Sequence, residues 1–353
     1  MLPLVSVTLV TYNSARFIDA CLQSIFAQEY RPLEVIVVDN ASSDSTAALL
    51  AGYADRMRVI WNKQNLGFAA AHNQAIAASL GKWVLVLNPD VRLTARFIEM
   101  LLEAGEEQSD RRVGTVCGKL LAMSGDMTVP PYPLVDSTGI FFTPTLRHFD
   151  RGAREPDNGK YEQPEYVFGA SAAAALYRRE MIDDLSIDGE FFDPDFFFYR
   201  EDADVAWRAQ LMSWKCLYLP QARAYHVRTV QPGKRSQLPP DINMHSVKNR
   251  FLMRLKNVGP SLYFRNLVPT TVRDLGVIMY CLLVERTSLP AFSLLCKAWP
   301  RTWRKRQWIQ QRRRVGDREL ARWFRFQPVS FPAPALNLSK PAPLGAQLRA
   351  HNS

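Results

Sequence analysis

The chain has 353 residues, 47% of them hydrophobic, enough for one large core plus an appendage. Its formal charge of +10 is uneven: residues 245–353 hold 20 Lys and Arg against 4 acids, and residues 1–244 hold 24 against 30, so the excess belongs to one region with its own anionic partner. Five cysteines, odd in number and without a C-x-x-C pair, exclude a disulfide framework and a zinc site and fit a reducing cytoplasm.

Leu4–Thr11 is apolar and β-branched, a buried strand with no basic segment before it, so it does not read as a signal peptide. Asn13 or Ser14 caps a helix running to Ala27, with Phe17, Cys21, Leu22 and Ile25 on one face. Leu33–Asp39 is a second interior strand, ending in an acid. Ser43 or Asp44 caps a helix over Ser45–Tyr53. Arg58–Asn62 forms a short third strand, Phe68–Leu80 an Ala-rich helix, and Trp83–Leu87 a fourth strand that runs into Asn88-Pro89-Asp90. This alternation predicts an α/β fold, a mostly parallel sheet flanked by helices. Three strands deliver polar residues to one edge: Thr11 to Asn13, Asp39 to Asn40, and Asn88 to Asp90. Open α/β sheets bind ligands at that edge, although caps and turns draw on the same residue types.

From 121 to 165 the Pro- and Gly-rich sequence predicts long loops and small hairpins. The most informative stretch follows, Phe196 to Arg208, where Glu201, Asp202 and Asp204 stand together behind an aromatic run. Mutual repulsion and apolar walls raise at least one carboxyl pKa, which yields a base able to take a proton from a hydroxyl. Acids at a helix N-terminus also favour the positive end of the dipole, and the residues alone leave both readings open. Helical patterns run from 243 to 325, and no apolar run reaches the roughly 20 residues a membrane span needs.

Gly-rich dinucleotide turns, P-loops and H-E-x-x-H are absent. What the chain offers is a strand-end acid (Asp90), the Glu201–Asp204 cluster and His226. Oxygen donors with one imidazole suit Mg²⁺ or Mn²⁺ better than zinc. Taken in order, the pieces resemble the family 2 glycosyltransferases of the GT-A fold, above all its rhamnosyltransferase-like and galactofuranosyltransferase-like members. The resemblance rests on Val5–Ser14, Leu33–Ser42, Asn65–Ala69 with Asn73, Leu87–Asp90, Phe198–Asp204 with Trp207-Arg208, and Tyr225-His226.

The resemblance implies a GT-A (nucleotide-diphospho-sugar transferase) domain over residues 1–244. Residues 1–120 would bind the nucleotide sugar, and residues 121–244 would carry the acceptor site and the base. A basic amphipathic helical extension over 245–328 and a disordered tail over 329–353 complete the expected organisation. Thr11, Tyr12, Asn13 and Asp39 would line the nucleotide pocket, with Asp39 accepting from the pyrimidine N–H. Gly67 and Asn73 would lie near the ribose and diphosphate, and Asp90 and His226 would bind Mg²⁺ or Mn²⁺. Asp202 would be the general base, with Glu201 and Asp204 as stand-ins or acceptor contacts. The family's Asp-x-Asp metal motif here reads Asn88-Pro89-Asp90, with one carboxylate.

The implied activity is inverting transfer of a sugar, rhamnose favoured, from dTDP-rhamnose or a UDP-sugar to a hydroxyl. The acceptor would be a cell-surface glycan or a lipid-linked saccharide. The alternatives are a galactofuranosyl- or hexosaminyl-transferase of the same fold, or a non-catalytic nucleotide-sugar-binding scaffold. Residues 301–325 interleave ten Lys and Arg with Trp303, Trp308, Trp323 and Phe324. Such a segment contacts an anionic membrane, packs on the acidic body or another subunit, or binds nucleic acid. No nucleic-acid fold accompanies it, and a lipid-linked acceptor favours the membrane, so the expected place is the cytoplasm, peripheral on the inner face of the cell membrane.

Overall fold

The computed structural model describes residues 2–107, 112–228 and 239–334. Strand β1 (Val5–Thr11) is buried along its whole length, as a central strand must be. Helix α1 (Ile18–Phe26) turns Ile18, Cys21, Leu22 and Ile25 inward. It starts later than the sequence suggests, because the Ser14 carbonyl first closes a turn with the N–H groups of Phe17 and Ile18. Strand β2 (Leu33–Asp39) leads to α2 (Thr46–Ala51), where Asp44 Oδ1 accepts the Thr46 N–H at 3.0 Å. Then come β3 (Arg58–Trp61), α3 (Gly67–Ala77), β4 (Trp83–Leu87), β5 (Val91–Leu93) and α4 (Phe97–Glu107).

The second half contributes β6 (Val113–Ala122), the short β7 (Val135–Ser137), β8 (Ile140–Phe142), β9 (His148–Asp150) and β10 (Glu165–Val167). After these come β11 (Ala174–Arg178), α5 (Arg179–Leu185), α6 (Glu201–Leu211) and β12 (Lys215–His226). The C-terminal region is helical: α7 (Pro240–Asn257), α8 (Pro260–Arg265), α9 (Leu267–Leu283), α10 (Pro290–Arg312) and α11 (Asp317–Leu320). A last short strand, β13 (Phe331–Pro332), adds to the sheet edge beside β10. It lies within the expected tail; residues 335–353 of that tail are outside the described residues.

The sheet runs β13-β10-β12-β6-β11-β4-β1-β2-β3 and is mixed. β4, β1, β2 and β3 are parallel, whereas β11 lies antiparallel to both β4 and β6. Register places Thr11 opposite Asp39 and Leu9 opposite Leu87, so β1, β2 and β4 end together at one edge. β11 begins at that same edge, with Ala174 opposite Leu87.

The C-terminal helices are not a separate body. Leu252, Met253, Leu262, Ile309, Trp323 and Phe324 share one apolar cluster with Phe142, Phe168 and Trp207. Their basic side chains meet acids on α5 and in the segment before α6: Lys256 and Lys305 pair with Asp193, Arg301 with Asp195, and Arg312 and Arg314 with Asp184. Packing on the acidic body therefore accounts for much of the basic end. A different face stays open, where α9 exposes Val268, Val272, Leu275, Met279 and Leu283, and α10 exposes Trp299 and Trp303. Among the described residues no single helix is long and apolar enough to cross a membrane. The pair Leu267–Leu283 and Arg286–Arg312, bent by 113°, meets the length and composition together.

Candidate active site

The nucleotide-side candidates sit where β1 and β2 end. Thr11 Oγ1 donates to Asp39 Oδ1 at 2.8 Å, and Ser42 donates to both Asp39 oxygens, from Oγ at 2.6 Å and from N–H at 3.0 Å. Asp39 is thus 3% exposed and largely satisfied within the protein. Asn13 adopts φ 51°, and its Oδ1 accepts the Ser43 N–H at 2.8 Å, tying the two strand-end loops together. Tyr12 stands 52% exposed at the same edge, as an open ring there can.

Gly67 and Asn73 play packing roles. Gly67 has φ +81°, and a Cβ there would lie 2.6 Å from the Phe197 carbonyl oxygen. Only glycine allows that approach. Asn73 spends its whole amide on Phe192, donating to its carbonyl at 2.7 Å and accepting its N–H at 2.9 Å. Both residues therefore fix the segment that leads to Glu201-Asp202. Asn40, one of the polar residues expected at the strand-end edge, holds the loop before α3 through the Gly67 carbonyl at 3.1 Å and Asn62 at 2.8 Å.

The segment itself is strained. Phe197, Tyr199 and Arg200 have φ of 66°, 63° and 73°, a region non-glycine residues rarely adopt at about 1–3 kcal/mol each. Asn249 Nδ2, on α7, compensates by donating to the carbonyls of Phe196, Phe198 and Tyr199 at 2.7–2.8 Å. At the end of this turn the first residues of α6 present the acids.

Burial, with the charge of Asp202 beside it, holds the Glu201 carboxyl far above the ordinary range. Its Oε2 is buried without a partner, a setting that favours the neutral acid. Asp202 is only partly buried. Burial, then Asp150, raises it to about 6, while the Ala203 and Ala172 N–H groups pull the other way. Asp204 points elsewhere. It is fully buried and bound by Arg208 Nε at 2.9 Å, Lys256 Nζ at 2.9 Å and Asn257 Nδ2 at 2.7 Å. Its geometry is that of a structural anchor between α6 and α7.

Asp90 and His226 meet across the β5–β12 pair, with Val91 opposite His226 and the Val227 N–H bonded to the Asp90 carbonyl at 3.0 Å. His226 Nε2 lies 3.4 Å from Asp90 Oδ1, a buried oxygen with no hydrogen-bond partner. His226 Nδ1 faces Asp136 Oδ2 at 2.8 Å, and Arg228 Nε donates to Asp136 Oδ1 at 2.6 Å. Burial alone would lower the imidazole, but Asp90 and Asp136 outweigh it and raise it to about 10. Asp136 itself, against burial, is pulled down to about 2 by His226 and Arg228. Asp136 and Arg228 are further residues that sequence reasoning missed.

Two contacts lead from Asp202 toward this pair. The Ala172 N–H reaches Asp202 Oδ2 at 3.4 Å, and the next residue's carbonyl accepts the Asn88 N–H at 2.9 Å. The Tyr199 hydroxyl feels both regions: burial, then Glu201 and Asp90, raise it to about 12. Asp202 is thus linked through Ala172 and Ala173 to Asn88, two residues before Asp90 and just past the end of β4.

An unpartnered carboxylate oxygen facing an imidazole nitrogen, with the other nitrogen fixed by a carboxylate, fits a divalent cation. Among the described residues no group of three or more His, Cys, Asp or Glu could hold a metal. Two protein ligands suit Mg²⁺ or Mn²⁺, which keep waters and take substrate phosphate oxygens.

The profile of the family described as "Glycosyl transferase family 2" matches residues 6–186, from β1 through α5. The chain belongs to glycosyl transferase family 2. This glycosyltransferase is 26% identical over 257 residues to the N-acetylglucosaminyl-diphospho-decaprenol L-rhamnosyltransferase of Mycobacterium tuberculosis, covering 66% of the present chain and 79% of that protein. Among solved structures, GalNAc-T7 with UDP, GalNAc and Mn²⁺ superposes with a TM-score of 0.57 at 15% identity, over 72% of this chain and 48% of that one. S. aureus TarS 1–349 superposes at 0.52 with 18% identity, over 87% and 82%. These likenesses establish the GT-A fold of this family 2 glycosyltransferase.

Proposed function

We propose that this enzyme transfers a sugar, rhamnose first among the candidates, from a nucleoside-diphosphate donor to a hydroxyl of a cell-surface glycan or lipid-linked acceptor, inverting the anomeric carbon. The observation that carries this reading is the link from Asp202, a carboxyl raised to about 6, through Ala172 and Ala173 to Asn88, two residues before Asp90 of the Asp90–His226 pair. The rhamnosyltransferase relative, whose name specifies a diphospho-decaprenol acceptor, supports the choice of sugar and acceptor class.

Asp202 takes the proton of the acceptor hydroxyl as its oxygen bonds to the donor's C1. The bond from C1 to the diphosphate breaks on the opposite face, which sets inversion. Asp90 and His226 would hold Mg²⁺ or Mn²⁺, whose charge offsets that growing on the leaving diphosphate. Thr11 and Asp39 stiffen the nucleotide end, and Tyr12 supplies an open ring. The exposed apolar face of α9 and the basic α10 would rest on an anionic membrane from the cytoplasmic side.

Release of nucleoside diphosphate, measured across dTDP-rhamnose, UDP-galactofuranose and UDP-N-acetylglucosamine with Mn²⁺ and without acceptor, tests the reading. Fastest release from dTDP-rhamnose supports it, a preference for either other donor replaces the sugar, and no release from any donor overturns catalysis by this site.

A further inference from the structure

Arg250, midway along α7, is 7% exposed, and neither its Nε nor its Nη1 has a hydrogen-bond partner. Arg254, one turn on, is equally buried. Its Nη2 meets Asp274 Oδ2 at 2.7 Å, while Nη1 is unpartnered. On α9, Arg273 Nε and Asp274 Oδ1 are likewise buried without partners. Two more guanidiniums face the same place: Arg147 from the β8–β9 turn, and Arg200 at the head of α6, which donates to His148 Nδ1 at 3.2 Å.

A buried guanidinium without an acceptor is strongly unfavourable, and several together are worse. Burial, then Arg200, Arg273, Arg147 and Arg254, accordingly pull Arg250 down to about 8. Asp274, bonded to Arg254, is the acid that accompanies the cluster on α9. Outside the described residues, the stretches 229–238 and 335–353 contain no Asp or Glu, and 108–111 contains one, Asp110. What balances such a set is an anion that arrives from outside.

We propose that Arg250, Arg254 and Arg273 bind a phosphate or diphosphate group carried by the acceptor, next to the base. The proposal rests on the glycosyltransferase reading and names its acceptor class. Guanidinium forks match phosphate oxygens two at a time, and several forks need an anion with several oxygens. One carboxylate would leave most of the donors unmade. The position selects the acceptor over the donor: Arg200 lies two residues before Asp202, whereas Asp90 and His226 mark the donor diphosphate's side. Arg273 also enters the cluster from the helix whose opposite face exposes Val268, Val272, Leu275 and Leu283, which gives an apolar carrier a surface to follow.

The probe is inorganic pyrophosphate in EDTA, read as the melting temperature of the full chain against sodium chloride of equal ionic strength. The parent and Asp90→Asn should both gain melting temperature with pyrophosphate, because this site needs no metal. Arg250→Gln and Arg273→Gln should each weaken the apparent affinity at least tenfold. Without the anion Arg250→Gln should melt no lower than the parent, since it removes an uncompensated charge. Pyrophosphate that stabilises no better than chloride, or as well in both Gln variants as in the parent, overturns the proposal. Farnesyl diphosphate distinguishes the source: tighter binding than pyrophosphate points to a lipid-linked acceptor, and equal binding to a soluble sugar phosphate. No sugar transfer is read, so donor release fails or succeeds independently of this result.

Discussion

Asn249 donates its side-chain amide to the Tyr199 carbonyl at 2.8 Å, and the same nitrogen also serves Phe196 and Phe198. One amide on α7 therefore satisfies the carbonyls of a left-handed turn that ends two residues before the base. Asn249→Ala should cost about 1–3 kcal/mol, the range for unsatisfied buried groups. Asn249→Asp should cost more, because it sets an acceptor against three carbonyls. Urea unfolding measures the first effect. Transfer rates should fall at least tenfold in both variants with donor affinity retained; parent-like turnover would separate Asn249 from the base.

Asp202→Asn should lower transfer about 10²–10⁴-fold, the usual worth of a positioned base, and leave donor binding intact. Glu201→Gln should be nearly silent, since burial beside Asp202 holds the Glu201 carboxyl far above the ordinary range and the amide keeps its shape. Equal losses in the two variants would contradict this division of roles.

The pH profile follows from burial. A base must be ionised, and Asp202 is raised to about 6, so the rate should climb tenfold per unit below pH 6 and level off above it. Stability moves the opposite way. An acid whose folded pKa is raised disfavours the folded state once pH passes its unfolded value near 4, and fully so above 6. Asp202→Asn should thus melt higher than the parent at pH 8 and show no such advantage at pH 3.5.

EDTA should abolish donor release, and Mn²⁺ or Mg²⁺ should restore it. Asp136→Asn removes the carboxylate that fixes His226 Nδ1 and should weaken metal affinity about 10–100-fold. Metal titration followed by donor release checks both expectations.

Asp204→Asn should act on stability. Its carboxylate neutralises Arg208 and Lys256 inside the protein, and breaking a buried pair costs about 3–5 kcal/mol. Unfolding free energies from denaturant titration should drop by that amount. Full stability with lost turnover would return Asp204 to the catalytic candidates.

The strand ends were legible because central parallel strands are continuous apolar runs, and a polar residue closing one stands out. That logic located Thr11, Asp39 and Asp90. It also located Asp202, through the crowding of acids. It did not separate Asp202 from Asp204, because Lys256 and Asn257 lie more than 50 residues downstream. Asn73 was legible as a motif but not as a clamp on Phe192, a partner 119 residues away. Nor did the mixed sheet announce itself: β11 is as apolar as its neighbours, and direction leaves no mark on composition. The turn at Phe197 to Arg200 contains no glycine to betray its left-handed backbone.

Lys256 and Lys305 reach back from the C-terminal helices to Asp193, and Lys256 reaches Asp204 as well. A protein shortened to residues 1–244 would strand these acids in a greasy interior with no cation beside them. The distal helices thus complete the transferase domain itself, and it cannot be trimmed to a minimal catalytic fragment without unmaking the helix that bears Asp202.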